Sequence, residues 1–195
     1  LVCLVGSEMC IRDRLNGVTG KQLVDDWWKS VEEVFSAYKD ADPKKRVKWG
    51  GPEMSARSKI TARHMETWAH GQEVFDSLGQ DRQEKDRIKN IVHMGVIAYG
   101  WTFVNRKLEI PEPTPYVVLD APSGQVWEWN DKESLSKIEG SAVEFAQVVT
   151  QVRNFADTKL SITGKPAEEW MKYAQCFAGP PEDPPAKGTR YKVAN

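Results

Sequence analysis

The sequence predicts a mainly α-helical protein, in which an incomplete four-helix bundle is followed by a small α+β domain. Through residues 20–106, apolar side chains recur three and four positions apart, which is the spacing of one helix face. Breaks at Asp42-Pro43 and Gly79 divide this stretch into three helices, and such short links favour antiparallel neighbours in a bundle. After Pro111 the apolar residues alternate instead, which is typical of strands.

Residues 1–14 differ in character from the rest of the chain. They resemble the conceptual translation of a sequencing adapter rather than a protein segment, and as an artefact they would take no part in the fold. We therefore expect the natural part of this sequence to begin near Leu15. An upstream segment, with the helix that would complete the bundle, is expected to be lost from it. The alternative is a genuine short apolar N-terminus. A signal peptide is disfavoured because no basic segment precedes the apolar residues.

Composition indicates a chain that can bury a core and gives no sign of a polyanionic partner; the expected substrate is a small molecule. Of the 195 residues, 40% are hydrophobic and 28% are charged. The formal net charge of −1 disfavours nucleic acid and anionic membrane surfaces as partners, and no apolar run approaches the roughly 18 residues of a membrane span. Cys176 is the one cysteine beyond the adapter-like segment, so we predict no disulfide framework and expect a reducing cytoplasm.

The helical domain is predicted to cover residues 15–107. Its first helix lies between Gly20 and Asp42, and the basic connector at residues 44–48 is either a solvated loop or a phosphate site. The second helix starts near a serine cap and ends at Gly79. The third helix runs from about Asp81 to Arg106, and two glycines within it allow a neighbour to approach closely: Gly95 and Gly100.

The α+β module is predicted to cover residues 108–180, followed by a disordered polar tail at 181–195. Alternation of apolar and polar residues around turn residues is the basis for its strands, and the return of helical spacing is the basis for its helices. The predicted elements are a β-hairpin of 116–119 and 125–129, a helix opened by Gly140-Ser141, a strand at 160–163 and a helix from about Pro166 to Phe177.

Glu66 and His70 lie four positions apart in the second helix and form the candidate metal-binding pair. At this spacing both side chains leave the same helix face, so a carboxylate oxygen and an imidazole nitrogen can reach one divalent ion. We expect both donors to face the interior of the bundle. A catalytic zinc usually takes three protein ligands, so a third is required from another helix. The alternatives are an ordinary hydrogen bond between the two side chains and a solvated helix face.

The residues around this pair resemble a known family. The motif Arg63-x-x-Glu66-x-Trp68-x-His70-Gly-Gln-Glu73, with Trp49-Gly-Gly-Pro-x-Met54-Ser55 before it and His93-Met-Gly-Val96 after it, resembles the metal-binding domain of mycothiol-dependent maleylpyruvate isomerases and their uncharacterised actinobacterial relatives. That domain belongs to the DinB-like superfamily. The later part of the chain resembles a C-terminal module that some relatives label a wyosine-base-formation domain.

The resemblance implies a divalent metal, with zinc best suited to these ligands, and a low-molecular-weight thiol such as mycothiol as cosubstrate. It implies that Glu66 and His70 are two of the three metal ligands and that an early histidine is the third. No residue of this chain maps onto that histidine. Nickel, iron and manganese stay open.

Three further residues are predicted to support the metal-binding pair. Glu73, one turn after His70, can orient its imidazole, although the family usually has aspartate there. Arg63 can neutralise buried acid or hold an anionic substrate, with an ordinary ion pair as the alternative. His93 is either an outer partner or a substitute ligand of the site, or a hydrogen-bonded core residue. Cys176 is predicted to be a buried thiol rather than a nucleophile, and no catalytic residue is assigned.

Three functions are compatible with these observations. The first is a metal- and thiol-dependent transferase or isomerase, because a bound divalent ion stabilises a thiolate at neutral pH. The second is a metal- or small-molecule-binding module without turnover. The third, a tRNA wyosine-related protein, depends on the C-terminal label alone, and neither the charge nor a cluster-binding cysteine motif supports it.

Overall fold

The computed structural model describes residues 17–48 and 53–193, and these ranges are mainly α-helical. The adapter-like residues 1–14 lie outside the described residues, as does the Trp49–Pro52 part of the family motif. The chain divides into two compact units, Leu1–Arg63 and His64–Asn195. The division falls inside one helix, so each unit is described by itself.

The first unit contains helix α1 (Gly20–Lys39) and the start of helix α2 (Ala56–Ser77). A two-residue antiparallel ladder joins them, in which β1 (Arg46–Val47) pairs with β2 (Met54–Ser55). The sequence predicts a loop there, because two-residue strands give no periodic signal. The predicted serine cap of α2 is confirmed, since the Ser55 hydroxyl accepts the Ser58 N–H at 3.1 Å.

No residue of α1 is buried in this unit. Its apolar side chains follow helical spacing, as the sequence predicts, yet several large ones are exposed by between 37% and 66%. These are Leu23, Val24, Trp27, Trp28 and Phe35.

The second unit begins with the rest of α2 and continues through a short 3-10 helix (Asp86–Ile88), α3 (Lys89–Ile97) and α4 (Tyr99–Asn105). The sequence predicts one continuous helix from about Asp81 to Arg106, and this prediction of continuity is wrong. The interruption falls at Ala98, whose carbonyl accepts both the backbone N–H and the hydroxyl of Thr102, at 2.9 and 3.1 Å. Bonding of a threonine hydroxyl back to the preceding turn bends helices.

A four-stranded sheet follows, with strand order β4-β3-β5-β6. The predicted hairpin is confirmed, because β3 and β4 are antiparallel and Leu119 lies opposite Trp127. The sequence does not predict that β3 also pairs in parallel with β5, with Val117 opposite Ile138. The strands are β3 (Tyr116–Asp120), β4 (Val126–Trp129), β5 (Lys137–Ser141) and β6 (Ser161–Thr163), and the helices are α5 (Ala142–Val149), the 3-10 helix Phe155–Asp157 and α6 (Lys165–Tyr173).

One hydrophobic core occupies the second unit. It takes side chains from α2, α3, the sheet, α5 and α6, and therefore from both sides of residue 107. The predicted division at 107/108 and the four-helix bundle stay predictions. The largest fully buried side chains are Trp68, Trp170, Phe103, Phe145, Ile88 and Ile91.

The tail predicted as disordered contains no helix or strand from Ala174 to Val193, but it is hydrogen-bonded to the second unit. The buried Gln175 accepts the Glu182 N–H at 2.9 Å and donates to the Pro180 carbonyl at 3.0 Å. The Val193 N–H donates to the Asp76 carbonyl at 2.9 Å. In the described ranges, every helix is too short or too polar to span a membrane.

Candidate metal site

Glu66 and His70 come together on α2 as the sequence predicts. Their Oε2 and Nε2 atoms are 3.6 Å apart. Two ligands that each lie about 2.0–2.2 Å from a tetrahedral zinc ion are roughly 3.4 Å from one another. The pair is therefore close to the separation that a shared ion requires, without movement of the helix.

The two donors differ in their exposure to solvent. The Glu66 side chain is 27% exposed, whereas the His70 side chain is 73% exposed. The expectation that both face an interior is thus met for Glu66 and not for His70. Burial raises the pKa of Glu66, and the nearby His70 opposes this rise. The site combines a carboxyl group that holds its proton more tightly than usual with an open imidazole.

Glu73 contacts the other nitrogen of the imidazole, as the sequence predicts. Its Oε2 lies 3.3 Å from His70 Nδ1. A carboxylate that accepts the Nδ1–H leaves Nε2 unprotonated and able to bind a metal. Glu73 also forms an ion pair with Arg190, which the sequence could not indicate because 117 positions separate the two residues. Arg190 is thus a further residue that reaches the site from the tail.

Arg63 and His93 differ in what the structure shows of them. Arg63 is the last residue of the first unit, and its predicted role stays a prediction. His93 is exposed on α3, and its Nδ1 accepts the indole N–H of Trp129 at 3.2 Å. This strand side chain, rather than Glu66 or His70, is the partner that the structure gives to His93.

The described residues supply two metal donors and not a full set. Among residues 17–48 and 53–193, no group of three His, Cys, Asp or Glu side chains is arranged to hold an ion. The pair, with Glu73 behind it, would supply two of the three protein ligands of an open zinc site. The third ligand stays a prediction.

Cys176 is buried, as the sequence predicts, and its backbone N–H donates to the Val149 carbonyl at 2.9 Å. Burial raises the pKa of the thiol well above its usual range, and the negative charge of Glu66 contributes to the rise. A thiol that stays protonated at neutral pH is a poor nucleophile. Cys176 is therefore a poor candidate for a reactive thiol.

The face of α2 behind the pair is fixed by a polar cluster. The Trp68 indole donates to Glu84 at 3.0 Å, and Arg82 donates to the Trp68 carbonyl at 2.7 Å. Burial, together with the positive charges of Arg87 and Arg82, lowers the pKa of His64. His64 is therefore mainly neutral at physiological pH, and the contacts of Trp68 hold α2 between Glu66 and His70.

The comparisons with known proteins cover the part of the chain that contains this pair. Residues 10–75 match the family model described as the mycothiol maleylpyruvate isomerase N-terminal domain. Two uncharacterized proteins of Mycobacterium tuberculosis, MT0041 of strain CDC 1551 / Oshkosh and Rv0036c of strain ATCC 25618 / H37Rv, are each 36% identical over 167 residues.

The alignment covers 86% of this chain and 65% of each relative, so the chain spans less than two thirds of their length. No solved structure matches significantly. Glu66, His70 and Glu73 all fall inside the matched segment. The match to the mycothiol maleylpyruvate isomerase N-terminal domain model is thus a similarity over residues 10–75.

Proposed function

We propose that this chain is part of a divalent-metal-dependent protein that uses a low-molecular-weight thiol, in the manner of a transferase or isomerase. The observation that carries the proposal is the 3.6 Å approach of Glu66 Oε2 to His70 Nε2 inside the family segment. Both residue types suit zinc, and their separation fits two positions of a tetrahedral ion.

Each residue then has a defined task. Glu66 and His70 would hold the ion, and Glu73 would keep the proton of the imidazole on Nδ1. A divalent ion bound there would supply positive charge that stabilises a thiolate. The 73% exposure of His70 leaves room for a third ligand and for an incoming thiol.

Zinc titration of the 195-residue chain by calorimetry, with the amide signals of α2 followed by NMR, tests the ligand assignment. We expect binding centred on residues 66–73, and at least tenfold weaker binding in Glu66→Gln and in His70→Ala, because each removes one donor. His93→Ala is the matched control, since its imidazole is bound to Trp129 and it should bind zinc unchanged. Equal affinity in all four proteins would reject the assignment.

A second measurement separates turnover from binding alone. Mycothiol and monochlorobimane are incubated with the zinc-loaded chain; the thiolate displaces chloride, a thioether forms and fluorescence rises. A zinc-dependent rate that His70→Ala removes supports the transferase. Zinc binding without any rate above background supports the alternative of a non-catalytic metal-binding module.

A further inference from the structure

A cleft of about 330 Å³ lies in the first unit, and none of its lining residues belongs to the candidate metal pair. It is formed by the C-terminal end of α1, the turn that follows and the start of α2. Its lining residues are Phe35, Tyr38, Lys39, Ala41, Pro43, Ala56, Arg57 and Ile60. The volume is at the small end of the range of about 300–1,000 Å³ for ligand sites.

The walls of the cleft are apolar and partly aromatic. Phe35 and Tyr38 are three residues apart on α1, and Ala56 and Ile60 are four apart on α2, so each pair presents one face of its helix. Ala56 is 3% exposed, whereas Phe35 is 66% exposed. The cleft therefore has a closed floor and an aromatic ring at an open mouth.

Two positively charged side chains, Lys39 and Arg57, complete the lining, and no described lining residue is acidic. Two neighbouring cationic side chains are already hydrogen-bonded to the connector between α1 and α2. Arg46 donates to the Glu53 carbonyl, and Lys59 donates to the Lys48 carbonyl. By contrast, Lys39 and Arg57 form no ion pair with another described residue. Two uncompensated positive charges thus border an apolar cavity.

Acidic residues near the cleft do not cancel this charge. The carboxylate of Asp42 accepts the Lys44 backbone N–H at 2.9 Å, which directs it back into its own turn. The arrangement is complementary to an anion that carries an apolar body. Self-association through the cleft is disfavoured, because a two-fold contact would bring Lys39 and Arg57 of both copies together.

We propose that this cleft binds a small organic carboxylate with an aromatic body, its ring beside Phe35 and Tyr38 and its carboxylate between Lys39 and Arg57. The apolar body gives most of the affinity, and the two cations select the charged group. Inorganic phosphate lacks the apolar part and should bind far more weakly. This proposal does not depend on the metal site.

NMR titration of the 195-residue chain with 2-naphthoate, and in parallel with the uncharged 2-naphthalenemethanol, tests the proposal. We expect naphthoate to shift amide signals of residues 35–60 and to bind about tenfold more tightly than the alcohol, because two exposed ion pairs contribute roughly a factor of ten. The double variant Lys39→Gln/Arg57→Gln should remove this preference. Lys29→Gln, on the same helix but outside the cleft, should retain it.

Three results would overturn the proposal. The first is naphthoate shifts that fall outside residues 35–60, or none at all. The second is equal affinity for naphthoate and the alcohol in the unmodified chain, a comparison that needs no variant to fold. The third is a set of shifts at the cleft that depends on protein concentration without ligand, since this would make a second copy of the chain the occupant.

Discussion

At Glu66, the proposed binding of a metal ion and the stability of the fold have opposite requirements. Its carboxyl group is largely withdrawn from water, and burial raises its pKa, so the folded state favours the protonated form. A metal ligand must be deprotonated, so a bound cation would compensate for the burial of the negative charge. Without an ion, the ionised carboxylate should weaken the fold.

This opposition predicts the pH dependence of stability. A pKa raised on folding means that the folded chain binds more protons than the unfolded chain at pH values between the ordinary pKa of 4.5 and the higher folded value. Stability should therefore fall as pH rises through that window. Glu66→Gln should remove this loss and raise the melting temperature of the zinc-free chain at pH 7 by about 2 °C.

Thermal melts between pH 4 and 8 measure the difference in melting temperature between the unmodified chain and Glu66→Gln. The exposed Glu32→Gln on α1 is the matched control and should follow the unmodified chain at every pH. Parallel curves for the unmodified chain and Glu66→Gln would contradict the assignment of burial as the cause.

At the scale of elements, α3 and α5 pack at the distance set by one glycine. A Cβ atom on Gly95 would lie 2.7 Å from Val149 Cγ2 and 3.1 Å from Phe145 Cε1. Both neighbours are fully buried, so making room for the added atom would displace other core side chains. Gly100, five residues later, would place a Cβ atom at an ordinary 3.5 Å from Ile110.

These two glycines predict opposite outcomes for the same substitution. Gly95→Ala should destabilise the chain by about 2 kcal/mol, because an overpacked core must shift. Gly100→Ala should be neutral or stabilising by up to about 1 kcal/mol, because alanine favours the helix. Urea unfolding of the two variants measures their free energies of unfolding. A Gly95→Ala protein as stable as Gly100→Ala would show that α3 and α5 separate easily.

Elements with a local signal could be predicted from the sequence, and those that depend on distant partners could not. The helices α1 and α2 and the hairpin β3–β4 follow from periodicity and turn residues, and the structure has them. The parallel pairing of β3 with β5 joins segments about twenty residues apart and leaves no periodic trace. The interruption at Ala98 depends on a threonine side chain within an otherwise helical pattern.

The candidate site could likewise be predicted only in its local features. The pair Glu66 and His70, and the contact of Glu73, follow from helical spacing alone. The exposure of His70 and the ion pair of Glu73 with Arg190 depend on how the tail lies on the second unit. The sequence makes His93 a candidate because it lies on the next helix and could face the bundle interior, but its hydrogen bond to Trp129 depends on the position of a strand.

At the scale of the whole molecule, the second unit is joined across its sequence by a buried ion pair. Asp76, near the end of α2, binds Arg153 in the loop after α5 at 2.6 Å. Both side chains are nearly buried, at 11% and 12% exposure. Gln72 also donates to this carboxylate at 3.0 Å, so the helical and sheet-bearing parts share one polar contact.

Asp76→Ala should therefore cost about 3 kcal/mol, because it leaves the Arg153 guanidinium buried without its partner. Asp81→Ala is the matched control. Asp81 pairs with Lys192 but is 82% exposed, so its loss should change stability by less than about 0.5 kcal/mol. Chemical unfolding of both variants tests this, and equal costs would mean that the buried pair does not join the two parts.

The path of the tail has a practical consequence for anyone who purifies this protein. Arg190 touches Glu73, which touches His70, so the described chain passes beside the candidate ligands only a few residues before its last position. A polyhistidine tag appended there would place foreign imidazoles within reach of Glu66 and His70. Such a handle could complete the coordination artificially, and it should be cleaved off before any zinc affinity is measured.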